Sequence, residues 1–600
     1  FNQVIAVMGS KRLLGIVFAL FVILPLSAQN LIPQPKTYYQ ESEKRFAIKG
    51  LRIVNADFNN PEEYRIEVRH GEVTVMGNRL WAKKTLEQLK DERGRLPDVT
   101  IHDWPDYPFR GFMHDTGRNF QTLDMLKETI DLMSFYKLNV FHWHLTDHPA
   151  WRIECRVYPQ LNDPQYQRPG RDPGAFYTYD EIRELIHYAA ERGITILPEI
   201  DMPGHSTYFK NAFGFTMDSE EGRLVLEQCL EEFFTEIPET LCPYFHMGSD
   251  EVYVSDPQEF MQWLENIVIR NHRIPVAWDP GLPTSNRVVR QIWNTAAGSN
   301  AAAAEKGGRY LDSFMGYLNY YDPNWFTNHI FLHTPAAQQV PDTTKALGGV
   351  LCLWNDVRVD NKENIALHNG MINGMMAYAE RFWNGGALSD PETALLDFEK
   401  KMVSHRDQYH RGKMRWMPNS HIEWEVQLDG QEAVKVNGGA VDLDALCAER
   451  GLDVSVGVQA VARTILMSPC DTVIQVWVGF DTPARSNRNG VGIGAQGRWE
   501  GEAVVRVNGV EVLPSKAWNE PGRYEYHYNT WGKPEEEKPY TDEQLYWMRD
   551  PALVRLKKGA NQVEISVPKL YEGLRWSFAF IPVTACGDGS ATEVSGIINR

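Results

Sequence analysis

Cysteine is scarce in this chain: seven residues in 600, at positions 155, 229, 242, 352, 447, 470 and 586, with no Cys-x-x-Cys pair. That scatter points away from a disulfide-framed fold and from a cysteine zinc site, and is compatible with a single bridge in an oxidising compartment. Positive charge is in deficit as well. Lys and Arg number 61 against 79 Asp and Glu, a net charge of −18, which argues against nucleic acid or an anionic membrane surface as the main partner. There is no low-complexity tract. Long apolar runs are limited to one, "LLGIVFALFVILPL" (13–26), which follows Lys11 and Arg12 and precedes "SAQN". It is shorter than the ~20 residues that a spanning helix needs, so it reads as a secretory signal cleaved near Ala28. A secreted or periplasmic protein without stable membrane insertion is the expectation.

Tryptophan is plentiful, 18 residues, and indole faces are a common platform for sugar rings and other flat or apolar ligands. Along the chain the pattern changes twice. After the signal (1–28), residues 29–105 contain "YRIEVRHGEVTVMG", which alternates like a hairpin around His-Gly, and "RLWAKKTLEQLKDE", which has helical spacing. This is a small α+β domain. From 106 to 412, strand-like runs alternate with helical ones: "FRGFMHD", "LNVFHWHL", "ITILPEI", "YFHMG", "IPVAW", "RQIWN", "SFMGYLNY" and "GVLCLWN". Eight strands with intervening helices predict a (β/α)₈ barrel, although the fifth and sixth crossovers, between 280 and 310, are too short for full helices. Such a barrel should close its own core, so residues 29–412 should fold alone. From 413 to 600 runs such as "TVIQVWVGFDT" and "NQVEISVPKL" alternate between Gly, Asn and Pro turns, the pattern of an antiparallel β-sandwich.

The C-terminal ends of barrel strands carry the chemistry of such folds. Read in order, they bear Asp115 and Arg118; His142, His144 and Asp147; Glu199, Asp201 and His205; Asp250 and Glu251. The series continues with Trp278 and Asp279, Trp293 and Asn294, Tyr320 and Asp322, and Trp354 and Asp356. Polarity at a solvent-facing rim accounts for any one of these, but not for aromatic residues on four successive strand ends. Two rival readings remain. His142 and His144 form a His-x-His at a strand end that could hold zinc in a metal-dependent hydrolase, although the fifth to eighth strand ends offer no further histidines. A non-catalytic glycan-binding protein is the other, against which the adjacent Asp250–Glu251 pair counts.

The motifs resemble those of family 20 glycoside hydrolases, the β-N-acetylhexosaminidases. "HMGSDE" resembles their His-x-Gly-x-Asp-Glu signature, "FHWHLTDHPAWRIE" their His-x-His-Leu-x-Asp…Trp-Arg-Ile segment, and "PEIDMPGHS" their Glu-x-Asp-x-Pro-Gly-His loop. "DTGRNF", "YYD" and "LWND" match the first-strand arginine, the Tyr-x-Asp and the Trp-x-Glu, in the family's order over residues 105–385. The resemblance implies an exo-acting, metal- and cofactor-free enzyme that retains configuration, with the substrate's own acetamido oxygen as nucleophile. Glu251 would be the acid and base, and Asp250 would orient the acetamide N–H. Their adjacency should discourage joint ionisation and help to keep Glu251 protonated. Arg118 would clamp sugar hydroxyls, Asp356 would contact distal ones, and Trp278, Trp293 and Trp354 would wall the pocket. Tyr320 would donate to the acetamide oxygen, Asp322 would complete the Tyr-x-Asp, and Asp147 and His205 would support Glu251 from behind. The glycan partner would carry terminal β-linked GlcNAc or GalNAc. Departures from the pattern are Asp356 for Glu, His148 for a common Asp, Ala150 for a common Gly and Ser249 for a smaller residue. The sandwich loosely resembles galactose-binding-like modules.

Overall fold

The computed structural model describes residues 30–294, 307–480, 497–515 and 533–599, apart from 538, 541, 543–544, 571, 573–574, 587–589 and 595. The apolar run read as a signal lies outside them.

The chain begins with a five-stranded sheet made of β1 (Thr37–Phe46), β2 (Gly50–Val54), β3 (Tyr64–Arg69), β4 (Glu72–Gly77) and β5 (Leu96–Asp103), in the order β1-β5-β3-β4-β2. His70 (φ +50°) and Gly71 (φ +89°) make the hairpin turn between β3 and β4, with the positive φ at both positions that a type I′ turn requires. Helix α1 (Arg79–Leu89), capped by Asn78, lays Trp81, Ala82 and Leu89 on this sheet.

A closed barrel follows. Its strands are β6 (Phe109–Asp115), β7 (Val140–His144), β10 (Thr195–Glu199), β11 (Tyr244–His246), β12 (Ile274–Asp279), β13 (Val289–Ile292), β14 (Tyr310–Asp312) and β15 (Ala346–Leu353), all paired in parallel. A two-residue ladder of β8 (Thr146–Asp147) with β9 (Ala150–Trp151) sits beyond β7. Every residue of β6 and β7 is buried, as expected of strands covered on one face by helices and on the other by the barrel interior. That interior holds Met113, Leu197, Val276, Trp278, Leu311, Val350 and Cys352. The helical layer comprises α2 (Leu123–Phe135), α3 (Tyr179–Ala190), α4 (Thr207–Phe213), α5 (Glu220–Glu236), α6 (Pro257–Arg270), α7 (Pro323–Leu332), α8 (Ile365–His368), α9 (Met371–Trp383) and α10 (Pro391–Tyr409). Local chemistry sets their starts. Thr178 and Glu181 form a reciprocal capping box on α3, satisfying backbone donors that the helix itself leaves unpaired.

One expectation about the barrel needs correction. The run "SFMGYLNY" is not the seventh strand: that strand is Tyr310–Asp312, and residues 313–320 leave it as a loop that keeps an isolated Tyr317–Cys352 bridge. Aromatic residues there imitate a strand while serving the rim. Helix α9, which the sequence reading did not pick out, has every residue buried. The fifth crossover, 280–288, contains no helix; the sixth runs through residues outside those described.

The C-terminal region forms two facing sheets. One orders β17 (Val434–Asn437), β16 (Glu423–Leu428), β19 (Gln459–Ser468), β24 (Gly559–Pro568), β21 (Val504–Val507) and β22 (Val510–Glu511). The other orders β18 (Ala440–Asp442), β25 (Ser577–Ala585), β20 (Thr472–Gly479) and β23 (Ala552–Leu556). Alternating burial along β16 and β23 supplies one apolar face per strand, and Trp424, Val476, Val505, Ile565 and Phe578 fill the space between sheets. The second sheet also buries its outer face. Trp477, Ala579, Ile581 and Val583 belong to the same apolar cluster as the barrel's helical layer. The sandwich is therefore fused to the barrel along a hydrophobic seam.

Candidate active site

The barrel's C-terminal rim holds a cleft of about 710 Å³. Arg118, Asp147, His148, Asp201, His205, Asp250, Glu251, Trp293, Asn294, Tyr317, Asn319, Tyr320, Trp354 and Asp356 line it, so every strand end contributes except that of β12.

The acidic pair owes its placement to the backbone. Strand β11 stops at His246, and Gly248 (φ +67°), Ser249 (φ +81°) and Glu251 (φ +49°) are left-handed. Consecutive side chains that would diverge on a strand can therefore enter one cavity. Gly248 is obligatory: a Cβ there would meet the Asp201 carboxylate at 1.9 Å. Ser249, with its Cβ, is held in a costly conformation, and its N–H donates to Asp201 Oδ1 at 3.1 Å. The two acids differ in exposure, with the Asp250 side chain 13% and that of Glu251 59% accessible.

Their ionisation is the reverse of the sequence expectation. A hydrogen bond from His205 holds Glu251 below the usual carboxylate range, whereas burial pushes Asp250 up. Burial and the neighbouring Asp250 raise Asp201 well above its ordinary value. Adjacency thus does not keep Glu251 protonated, because a cation reaches it first. His205 lies with Nε2 3.4 Å from Glu251 Oε2 and Nδ1 3.5 Å from Asp147 Oδ2. Burial opposes charge on this ring, but Asp147 and Asp201 outweigh it and hold His205 well above the normal imidazole range.

The series of contacts continues inward. Asp147 Oδ2 is 3.1 Å from His144 Nε2, and His144 Nδ1 is 2.6 Å from Glu199 Oε2. His142 Nε2 reaches the same oxygen at 2.7 Å, and the Trp278 indole donates to Glu199 Oε1 at 2.7 Å. Burial penalises the Glu199 carboxylate, yet His144, His246 and His142 together hold it ionised, well below the usual range. Glu199 is the hub that sequence reading left without a role. The His142/His144 pair thus faces Glu199 rather than the cleft. Ligand-type atoms do gather at His142, Glu199 and His246, at His144, Asp147 and Asp201, and at Asp201, His205 and Asp250, but in the first two sets the histidines already face carboxylates.

Arg118 is anchored at three carboxylates: Asp115 at 2.9 Å, Asp147 at 3.0 Å and Asp356 at 3.7 Å. Asp356 also accepts from Asn319 Nδ2 at 2.7 Å, and burial pushes its carboxyl up to about 6. Trp293 and Trp354 flank Tyr317, with ring centroids 6.3 and 6.1 Å from it.

Two expected site residues stand elsewhere, and a third lies only at the edge. Trp278 does not line the cleft: it is still within β12, so its side chain enters the barrel interior. Asp322 caps α7, accepting from the N–H groups of Asn324 and Trp325, a role suited to an acid before Pro323 at the first helical position. Tyr320 is at the cleft's outer edge, 43% exposed. Tyr317 takes the inner position, where burial, Cys352 and Asp250 raise its phenol well above the normal value. Tyr317 and Asn319 went unrecognised because "SFMGYLNY" reads as a strand. The Tyr-Leu-Asn spacing within it was the available signal.

Residues 107–257 match the family model described as glycosyl hydrolase family 20, catalytic domain. Among curated proteins, the chain is 29% identical over 440 residues to a chitooligosaccharidolytic β-N-acetylglucosaminidase of Bombyx mori, covering 60% of this chain and 71% of that protein. It is 46% identical over 140 residues to a β-hexosaminidase of Vibrio furnissii, covering 21% of this chain and 23% of the relative. Of solved structures, a β-N-acetylhexosaminidase from Bacteroides fragilis superposes with a TM-score of 0.56 at 23% identity, over 65% of this chain and 97% of that one. A Streptomyces plicatus N-acetyl-β-hexosaminidase gives 0.53 at 20% identity, over 63% and 95%. These likenesses carry the fold, and the matched catalytic segment contains Arg118, Asp147, His205, Asp250 and Glu251. Over residues 107–257, then, the chain carries a catalytic domain that matches glycosyl hydrolase family 20.

Proposed function

We propose that the chain is an exo-acting β-N-acetylhexosaminidase that removes terminal β-linked GlcNAc or GalNAc with retention, using the substrate's acetamido oxygen as nucleophile. The observation that carries this reading is Asp250 Oδ1. It is a buried acceptor with no hydrogen-bond partner among the described residues, on the wall of a cleft that also presents Tyr317, Trp293 and Trp354. An unpaired buried acceptor is costly, and an amide N–H from a bound 2-acetamido sugar would satisfy it.

In this reading the glycosidic C1–O bond breaks while a bond forms from C1 to the acetamido oxygen. The departing oxygen takes the proton of Glu251. Asp250 accepts the N–H of the cyclising amide and offsets the positive charge that develops there. Tyr317, rather than Tyr320, would hold the acetamide oxygen. Water then adds at C1, giving its proton to Glu251, and the ring reopens. Because His205 keeps Glu251 ionised in the open cleft, the proton must be gained as the sugar displaces water, and the His205 imidazolium is the adjacent source. Arg118 and Asp356 would hold sugar hydroxyls.

The test pairs aryl β-glycosides that differ only in carrying a 2-acetamido or a 2-hydroxyl group. The first should be hydrolysed and the second negligibly, and a thiazoline mimic of the cyclised intermediate should inhibit far better than the free sugar. Covalent labelling of Asp201 or Asp250 by a 2-fluoro sugar would show ordinary double displacement instead. Export rests on the 13–26 run alone; N-terminal sequencing of purified protein that finds this run attached would remove it.

A further inference from the structure

Glu537 lies far outside the matched segment 107–257 and outside the barrel, yet its carboxylate reaches the catalytic rim. Its side chain is 2% exposed and accepts from Arg171 Nη2 at 2.6 Å, Arg171 Nε at 3.1 Å and Arg168 Nε at 3.0 Å. Arg171 is equally buried. Its guanidinium donates to the Asp356 carbonyl at 2.6 Å, the Arg118 carbonyl at 3.1 Å and the Asn355 carbonyl at 3.4 Å. One rigid fork thus ties the end of β6 to the end of β15, at the residues bearing the Arg118 guanidinium and the Asp356 carboxylate. An arginine buried this deeply needs an anion, and Glu537 supplies it. The same C-terminal segment grips the loop beyond β15 and the helix α8 that follows it at further points. Tyr540 N–H donates to the Arg358 carbonyl at 2.6 Å, Asp542 meets His368 Nε2 at 2.6 Å, and the Trp547 indole donates to the Leu367 carbonyl at 3.0 Å.

We infer that Glu537 is a positioning residue of the sugar site, acting through Arg171 to fix the backbone that carries Arg118 and Asp356. The inference rests on the reading of the cleft as a hexosaminide site. The C-terminal module is then part of the catalytic centre, even though none of the residues reaching it from 533–548 lines the cleft. Substrate binding, more than the chemical step, is what this arrangement governs, because Arg118 and Asp356 would grip hydroxyls remote from the reacting carbon.

The experiment uses the full chain and an aryl N-acetyl-β-glucosaminide, measuring KM, kcat and thermal midpoint. Glu537→Gln keeps the volume and removes the charge. KM should rise roughly tenfold or more, the scale on which displaced binding groups act, with kcat changed much less. The double variant Arg171→Met/Glu537→Met removes both buried charges together, which commonly preserves folding. It should keep the raised KM even where its thermal midpoint recovers to that of the wild type. A folded Glu537→Gln or double variant with wild-type KM would reduce Glu537 to a structural ion pair and overturn the inference, and should the single variant not fold, the double variant decides. Wild-type protein inactive on the glycoside would instead overturn the hexosaminide reading and this inference with it.

Discussion

His205 Nε2 stands 3.4 Å from Glu251 Oε2, while the same ring's Nδ1 faces Asp147 at 3.5 Å. The acid of the cleft is therefore wired to a buried cation and, through Asp147 and His144, to Glu199 in the barrel interior. If the acid works through this ring, damage to either should show the same chemical signature. Glu251→Gln should lower kcat by about 100- to 10,000-fold on substrates with poor leaving groups, and far less on activated aryl glycosides. His205→Asn should give a smaller loss with the same dependence on leaving group. A loss uniform across leaving groups in either variant would detach that residue from proton transfer.

Two tyrosines of one loop separate the inner wall from the outer edge. Tyr317→Phe should cost about 100-fold in kcat, the scale for removing one donor at a developing charge. Tyr320→Phe should leave kcat near wild type, since its ring stands at the exposed edge against Arg575. The reverse order would return the acetamide contact to Tyr320.

Burial lowers His405 to about 4 from an ordinary 6.5; the ring sits between Tyr136 and the carbonyl of Asn30. Between those values the unfolded chain binds the proton and the folded chain does not. This contribution is thus complete above the unfolded pKa and is lost as pH falls toward the folded one. His405→Gln removes the titration, so its thermal midpoint should drop less between about pH 7 and pH 5 than that of the wild type, with one group worth up to about 1.4 kcal/mol per pH unit. Parallel midpoint curves for the two proteins would show that His405 is not buried neutral.

The truncated chain 29–412 should be insoluble, contrary to what barrel closure alone suggests. Removing the sandwich uncovers the apolar seam that Trp477, Ile581, Val583 and Trp547 share with the helical layer, and contiguous apolar surface of that kind promotes association. A soluble, cooperatively unfolding 29–412 fragment would make the seam a docking surface between independent units.

The sequence by itself determined whatever depends on local order: which runs repeat as strand and helix, where the small sheet and the sandwich flank the barrel, and which polar residues follow each barrel strand. Of those residues, Arg118, Asp147, Asp201, His205, Asp250, Glu251, Asn294 and Asp356 lie together in the cleft, because strand ends of a closed parallel barrel converge on one rim. Only the tertiary structure decided how the aromatic and acidic residues divided. Trp278 and Trp293 both end barrel strands, yet one turns into the interior and the other into the cleft, since a strand still in register alternates its side chains and a loop does not. The same holds for ionisation. Asp250 and Glu251 are neighbours in the chain, but their proton affinities are set by burial and by a histidine brought from another strand. Glu537 is the extreme case: 366 residues separate it from Arg171, and no local pattern records a charge pair that exists only once the sandwich has docked.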